Sequence, residues 1–485
     1  MEKILIATSI APFDIENQRK AVNSWLAAGF EVVSCNALVE IEQIKSSFPD
    51  IRFIPLERDA TDILGKPYPY AYDVLQILKN EKHSVCGFIN SDIHLIDFPE
   101  ELIVMIYEHA LNGEMVYSNR METKSLEQND IDRAYSYRGG FDFFIFNKQL
   151  IEIYQDDNMF VGNTMWDFWM LGIPYINNIR LTEIKNPVCY HISHKIRWDE
   201  TLFNKYSKQL ADKYCNSESS AFPFMMMTLV ADLSNGLVYE SDMVKEKRVL
   251  VAFPKDEEIR EDTLKSLENQ THSKFDIIQG EPDMLKKSEY DYVFYTVSNQ
   301  QYVHTAISLL LQEAERRNAE TLQSDVALVG GDVDKVPVSR YIKTIQSQKG
   351  KNILCKIGID KNAPLSLLRA PLSTLSIIKT IGSFLKEIER FYIYPAGEMS
   401  KWFIKGLLAD EKKPLLGLCD KNELLWGKEI NGFQIYSPKR LDDTETYDKI
   451  LITSQFEEEI YNELKSRIPA DKIVRLSELL NLYKI

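Results

Sequence analysis

Short apolar runs separated by stretches of helical spacing organise the first half of the chain. Ile4-Leu-Ile-Ala7 reads as a buried strand, and Gln18 through Ala28 places Val22, Trp25 and Leu26 on one helix face. Gly29 is a suitable helix stop before the next strand, Phe30-Glu-Val-Val-Ser34. Ile41 to Phe48 has helical spacing and leads into Ile51-Arg-Phe-Ile-Pro55. Tyr72 to Glu81 does the same before the apolar run that starts at Val85 and stops at Asn90. Strands alternating with helices over residues 1–235 predict a mainly parallel sheet covered on both faces.

The pattern restarts after Asn235-Gly236 and the charged stretch Glu240 to Lys247. Arg248–Phe253, Phe275–Ile278 and Tyr292–Thr296 read as strands, with helices at Thr263–Asn269 and from about Tyr302 to Arg317. Periodicity weakens between about 335 and 388. A third restart brings strands at Phe391–Tyr394, Leu415–Cys419 and Lys449–Thr453, with a helix through Trp402 and Leu408. The expected organisation is α/β throughout, in units spanning 1–236, 247–388 and 389–485. A chain of 485 residues is long enough for two to four domains.

A formal net charge of −15 excludes a general nucleic-acid binder, because no basic, counterion-releasing surface is supplied. The amino terminus opens directly into a strand without a signal peptide's regions, and no apolar run is long enough to span a bilayer. Six cysteines without CxxC spacing fit reduced thiols in a cytoplasmic protein and no zinc cluster.

Candidate chemistry concentrates where the Val85 run ends, in Asn90-Ser91-Asp92-Ile93-His94. Side chains two apart on a strand share a face, so continued extension aims Asp92 and His94 the same way, at the carboxyl end of a strand. A carboxylate beside an imidazole can hold a divalent cation, and the cation a diphosphate. The alternative is a strand-to-loop junction with Asp92 as a cap and His94 solvated.

Residues 1–200 resemble the nucleotide-sugar-dependent glycosyltransferases of the GT-A fold. Asn90-Ser91-Asp92-Ile-His94 stands where that fold places its Asp-x-Asp metal motif, with His94 replacing the second aspartate. Arg138-Gly-Gly-Phe-Asp142-Phe-Phe-Ile-Phe146 looks like the strand and loop on the acceptor side, where Arg138 and Asp142 either orient the acceptor or pair structurally. Phe160 to Trp169 looks like the segment carrying the catalytic carboxylate. Tyr190-His191-Ile-Ser-His194 follows where such enzymes often supply a last metal-binding histidine. The resemblance implies a nucleotide-sugar donor, a saccharide or glycolipid acceptor, and Mn²⁺ or Mg²⁺ as Lewis acid, held by Asp92, His94 and His191. One metal takes one of the two later histidines, since in an extended segment they diverge. His194 is then a phosphate partner alongside Lys195 and Arg197.

Asp167 is the candidate base, in an inverting or, on the rival reading, a retaining enzyme. Trp166 and Trp169 are candidate walls for stacking a sugar; alternatively they are core residues of a helix with Asp167 on its solvent side. Thr8, Ser9, Asn36 and Arg58 are positional candidates for the nucleotide pocket, with Asp59 beside Arg58.

The middle unit resembles family 2 glycosyltransferases around Thr263–Ile278, but Tyr295-Thr-Val-Ser-Asn299 lacks a metal-binding carboxylate, so a catalytically dead copy is expected. Gly330-Gly-Asp332 reads as a loop surviving there without chemistry. The third unit resembles small Rossmann-like domains, with Gly397 alone surviving from a phosphate loop. The resemblance places the chain in surface polysaccharide or glycoconjugate synthesis and is compatible with a homo-oligomer. The rival is a non-catalytic nucleotide-sugar-binding or scaffold protein.

Overall fold

The computed structural model describes residues 2–163, 165–194, 200–214, 236–282, 289–298, 300–329, 342–345, 352–360, 363–376, 388, 390–397, 400–401, 404, 415–430, 432–454 and 457–475. Within this set the chain is mixed α/β. Leu5–Thr8 (β1), Glu31–Asn36 (β2), Arg52–Pro55 (β3) and Val85–Ile89 (β4) form a parallel array in the order β3-β2-β1-β4. The helices Ile15–Ala27 (α1), Leu38–Ile44 (α2), Thr61–Leu64 (α3) and Ala71–Asn80 (α4) connect them. α1 buries Ala21, Val22 and Trp25, and α4 buries Val74, Leu75 and Leu78.

Beyond β4 the sheet changes character. Ile93–Leu95 (β5) and Glu100–Leu111 (α5) lead to Met115–Thr123 (β6), then Gln128–Ile131 (α6) and the long Tyr135–Asn147 (β7). β7 runs antiparallel to both β4 and β6. The expected mainly parallel sheet forms, with β7 inserted antiparallel between β4 and β6. β6 and β7 are joined by a short link rather than a crossover helix, and such a link returns the chain antiparallel. Trp166–Ile176 (α7) precedes Leu181–Ile184 (β8) and Cys189–Ile192 (β9), which line up parallel to successive parts of β6. Glu200–Tyr214 (α8) follows, and Gly236–Leu237 (β10) pairs with β8. Two apolar cores cover the faces, one including Leu5, Phe88, Phe144, Trp166 and Trp169, the other Ile6, Trp25, Ile89, Phe143 and Ile145.

The register between β6 and β7 jumps twice. Ser118 faces Phe143 and Asn119 faces Phe141, so Asp142 is an extra residue; Arg120 then faces Tyr137, leaving Arg138-Gly139-Gly140 unpaired. Such bulges bend a strand and redirect side chains, often beside a site. Gly140 permits this one. A Cβ there would stand 2.8 Å from Arg120 Nε and 2.8 Å from Tyr137 Cδ1.

A second sheet region holds Val249–Phe253 (β11), Phe275–Gln279 (β12) and Tyr292–Tyr295 (β13) in parallel, with Gln301–Tyr302 (β14), Thr321–Val329 (β15), Ile342–Ile345 (β16), Ile353–Lys356 (β17) and Ser366–Ser376 (β18). One bridge, Tyr135 to Arg369, joins it to β7. Phe391–Tyr394 (β19), Leu415–Cys419 (β20), Glu429–Ile430 (β21), Phe433–Tyr436 (β22), Lys449–Ile452 (β23) and Ile473–Arg475 (β24) form a separate sheet in the order β21-β22-β20-β19-β23-β24. There the Ala396 N–H, beside the surviving Gly397, donates to Asp420 Oδ2 at 2.9 Å, so a carboxylate faces this loop. Gly330-Gly-Asp332, Asn299 and the helix expected through Trp402 and Leu408 lie outside the described residues. Among the described residues no helix is long and apolar enough to cross a membrane.

Candidate functional site

β4 ends at Ile89, and residues Asn90 to Ile93 form a turn closed by the Ile93 N–H on Asn90 O at 3.2 Å. Asp92 therefore sits in a turn at the carboxyl end of a strand, while His94 lies inside β5. β5 pairs antiparallel with β9, Ile93 opposite His191 and His94 opposite Tyr190. Directly opposed residues share a face, so His94 and His191 point to opposite faces. His94 is accordingly placed away from the expected trio. Its ring is buried, bonded to Asn17 Oδ1 of α1 at 2.8 Å, and desolvation pulls its pKa down to about 4.

Asp92, His191 and His194 come together instead, with one ligand atom from each all within 4.8 Å. His191 Nε2 lies 3.4 Å from Asp92 Oδ2 and His194 Nε2 lies 3.8 Å from it. The two histidines converge, contrary to the extended reading; β9 stops at Ile192, and His194 lies past the strand's end. Lys195 and Arg197 lie outside the described residues.

Behind His191 stands Glu122 of β6, opposite it in the parallel register. Both Glu122 oxygens are 3.1 Å from His191 Nδ1, and Ser193 Oγ donates to Glu122 at 2.7 Å. Arg120 donates to Glu122 at 2.6 Å and to Asp142 at 2.7 Å, while Asn90 Nδ2 also donates to Asp142. Burial works against the charges on Asp92, Glu122, His191 and Arg120, and pairing outweighs it. His191 is raised to about 9 by Asp92 and Glu122, Glu122 falls to about 2 under His191 and Ser193, and Asp92 is held below the usual carboxylate range. Arg120 and Glu122 escaped the reading of the sequence. Their signal is a pair of opposite charges at i, i+2 in the second half of β6.

Asp167 occupies the first turn of α7, its Oδ1 accepting from the Phe168 N–H at 2.9 Å. Desolvation, with Asp142 as a neighbouring negative charge, raises its carboxyl to about 7; Arg120 opposes this. The flanking tryptophans are core. Trp166 is 2 % exposed against Phe88 and Phe144, and Trp169 is fully buried with its N–H on Asp157. Neither presents a face to a ligand, since α7 packs its apolar stripe onto the sheet.

The first strand's loop is tied internally. Asn36 Nδ2 donates to Ile10 O, Ser9 Oγ and Glu40, and its Oδ1 accepts from Ser34. Ser91 Oγ donates to Gln18, whose amide clamps Ala11. Thr8 is buried, and its hydroxyl has no partner among the described residues. Arg58 is held by Asp73 at 2.7 Å and Asp156 at 2.6 Å, with Tyr70 beneath its guanidinium, which leaves it little charge to offer a phosphate. Arg138 is in the bulge; its side chain lies outside the described residues.

A family model described as C2185-like, N-terminal, matches residues 387–474. No curated protein matches the chain. Among solved structures, S. aureus TarS residues 1–349 in complex with UDP-GlcNAc is similar at 13% identity and a TM-score of 0.31, over 48% of this chain and 72% of that one. The same fragment with UDP gives 14% identity and a TM-score of 0.30 over 48% and 71%. TarS itself gives 13% and 0.30 over 48% and 43%. Likeness at this level transfers neither fold nor function.

Proposed function

We propose that the first unit is a nucleotide-sugar glycosyltransferase that moves a sugar to a saccharide or glycolipid hydroxyl. The observation that carries this reading is the Asp92–His191–His194 cluster at a strand's carboxyl end, linked through Glu122, Arg120 and Asp142 to an Asp167 carboxyl raised to about 7. Such a strand end is where open α/β sheets take ligands.

One carboxylate and two imidazoles fit a divalent transition metal such as Mn²⁺ better than Mg²⁺, which prefers oxygen ligands. Glu122 on His191 Nδ1 fixes the ring so that Nε2 faces Asp92, the carboxylate–histidine support common behind metal ligands. Bound there, the ion would supply Lewis-acid stabilisation of the departing diphosphate. Asp167 would accept the acceptor hydroxyl's proton at its free carboxylate oxygen, a role worth about 10²–10⁴-fold in rate. With its carboxyl near 7, about half the molecules hold the base form at neutral pH. Attack opposite the leaving diphosphate makes the transfer inverting. Ser9, Asn90 and Ser91 lie on the loops bordering the same strand ends and are the candidate nucleotide contacts.

One observation favours a second reading, nucleotide-sugar binding without turnover. The cluster is electrostatically satisfied as it stands, because a protonated His191 bridges Asp92 and Glu122. Titration calorimetry with UDP, GDP and CDP and their sugars, with and without Mn²⁺, separates the possibilities. Metal-dependent binding lost in Asp92→Ala, together with transfer lost in Asp167→Asn, is the expected result. Binding without transfer supports the second reading, and silence across the panel removes the first.

A further inference from the structure

We infer that Tyr135 and Tyr137 of β7 form a stacking platform for a neutral sugar ring, an inference that rests on the glycosyltransferase reading. In the antiparallel register Tyr135 stands opposite Glu122 and Tyr137 opposite Arg120. Opposed residues share a face with Cβ atoms about 5 Å apart, so both rings flank the residues that support His191 and Asp142. The Arg120 guanidinium lies 4.9 Å from the Tyr137 ring centroid, and burial, with Glu122 beside it, raises the Tyr135 hydroxyl's pKa.

Their exposure separates them from the other aromatics of the strand. Tyr135 is 47 % and Tyr137 42 % exposed, whereas Phe141, Phe143, Phe144 and Phe146 of β7 are fully buried. Two exposed tyrosines at i, i+2 present adjacent rings about 7 Å apart along one strand face. The Arg138–Gly140 bulge follows immediately, and the glycine at 140 leaves the room in which Tyr137 packs on Arg120. Tyr137 is therefore oriented by a guanidinium that two carboxylates already fix.

Charge selects the occupant. Asp92, Glu122, Asp142 and Asp167 surround Arg120 and His191, so this face disfavours an anionic phosphate arriving without a metal. An uncharged pyranose suits it. Its C–H face packs on aromatic rings, and its hydroxyls donate to carboxylates. With Trp166 and Trp169 buried, these tyrosines are the exposed aromatic surface beside the cluster among the described residues.

The test uses the full chain and saturation-transfer NMR with maltotriose, cellotriose, chitotriose and xylotriose, alongside calorimetry with UDP, GDP and CDP in Mn²⁺. Expected is binding of at least one trisaccharide, weakened tenfold or more in Y135A/Y137A and within threefold of wild type in Y135F/Y137F, with nucleotide binding unchanged in both. No trisaccharide binding, or binding indifferent to the alanines, overturns the platform; nucleotide binding that persists then leaves the glycosyltransferase reading standing. Nucleotide binding lost in Y135A/Y137A also overturns it, because the rings would then hold a base. Circular dichroism and thermal melting of both variants confirm folding, which residues this exposed leave intact.

Discussion

Asp167 and His191 lie in one charged network, yet their pKa values shift for opposite reasons. Asp167 has few favourable partners, so burial and Asp142 keep its proton on up to about 7. For a carboxylate raised above its unfolded value, ionisation opposes folding, and that penalty appears as pH rises from about 4 through 7. Asp167→Asn is therefore expected to melt progressively higher than wild type across that window, and level with it below pH 4. Transfer by the wild type should rise through pH 7 and fall at least 100-fold in Asp167→Asn, with nucleotide affinity within twofold. His191 moves from 6.5 to about 9 because Asp92 and Glu122 hold its proton. Its contribution is complete below pH 6.5 and lost as pH rises through 9. Metal-free protein should lose melting temperature across that range, and His191→Gln should flatten the curve. The place of Asp92 at the carboxyl end of a strand was legible from the residues alone. The partners of Asp92 were not, because His194 reaches it only after the chain leaves β9, and His94 turns away by simple strand alternation.

At the scale of elements, β4 is packed so closely that glycine is required. A Cβ on Gly87 would lie 2.4 Å from Ile145 Cδ1, 2.6 Å from Phe144 O and 2.7 Å from Ile6 Cδ1. Gly87→Ala is expected to cost about 1–3 kcal/mol in urea unfolding, since backbone as well as side chains must shift. Trp166→Ala should cost about 3–5 kcal/mol, for it empties a site lined by Phe88 and Phe144. An effect on saccharide affinity without loss of stability would show instead that its ring serves a ligand. Strands such as Phe391–Tyr394 and Leu415–Cys419 were readable to the residue, because a short apolar run between polar neighbours has one local solution. β7 was not readable as one thirteen-residue strand. Its bulge interrupts the alternation, and glycines at 139 and 140 look like a loop until a partner strand is present.

Residues before and after Gly236 touch through a buried ionic knot. Glu313 pairs with Arg316 and Arg317 on the helix Ala306–Arg316 and its end, and those arginines reach Asp97, Asp132 and the carbonyls of Asp132 and Leu367. Glu313→Gln leaves two guanidiniums without their shared anion, and about 3–5 kcal/mol of destabilisation is expected in denaturant titration. A change below about 1 kcal/mol would mean that the arginines are held by their other partners. Local periodicity determined most strands and helices, the α/β class and the position of Asp92, because these depend on neighbours a few residues apart. Tertiary structure decided which side chains meet. Glu122, Arg120, Asp142, Asp167, His191 and His194 come from four separate elements or their ends, and strand register together with a bulge brings them to one face. Register is set by pairing across tens of residues, and no window of the sequence contains both sides of that pairing.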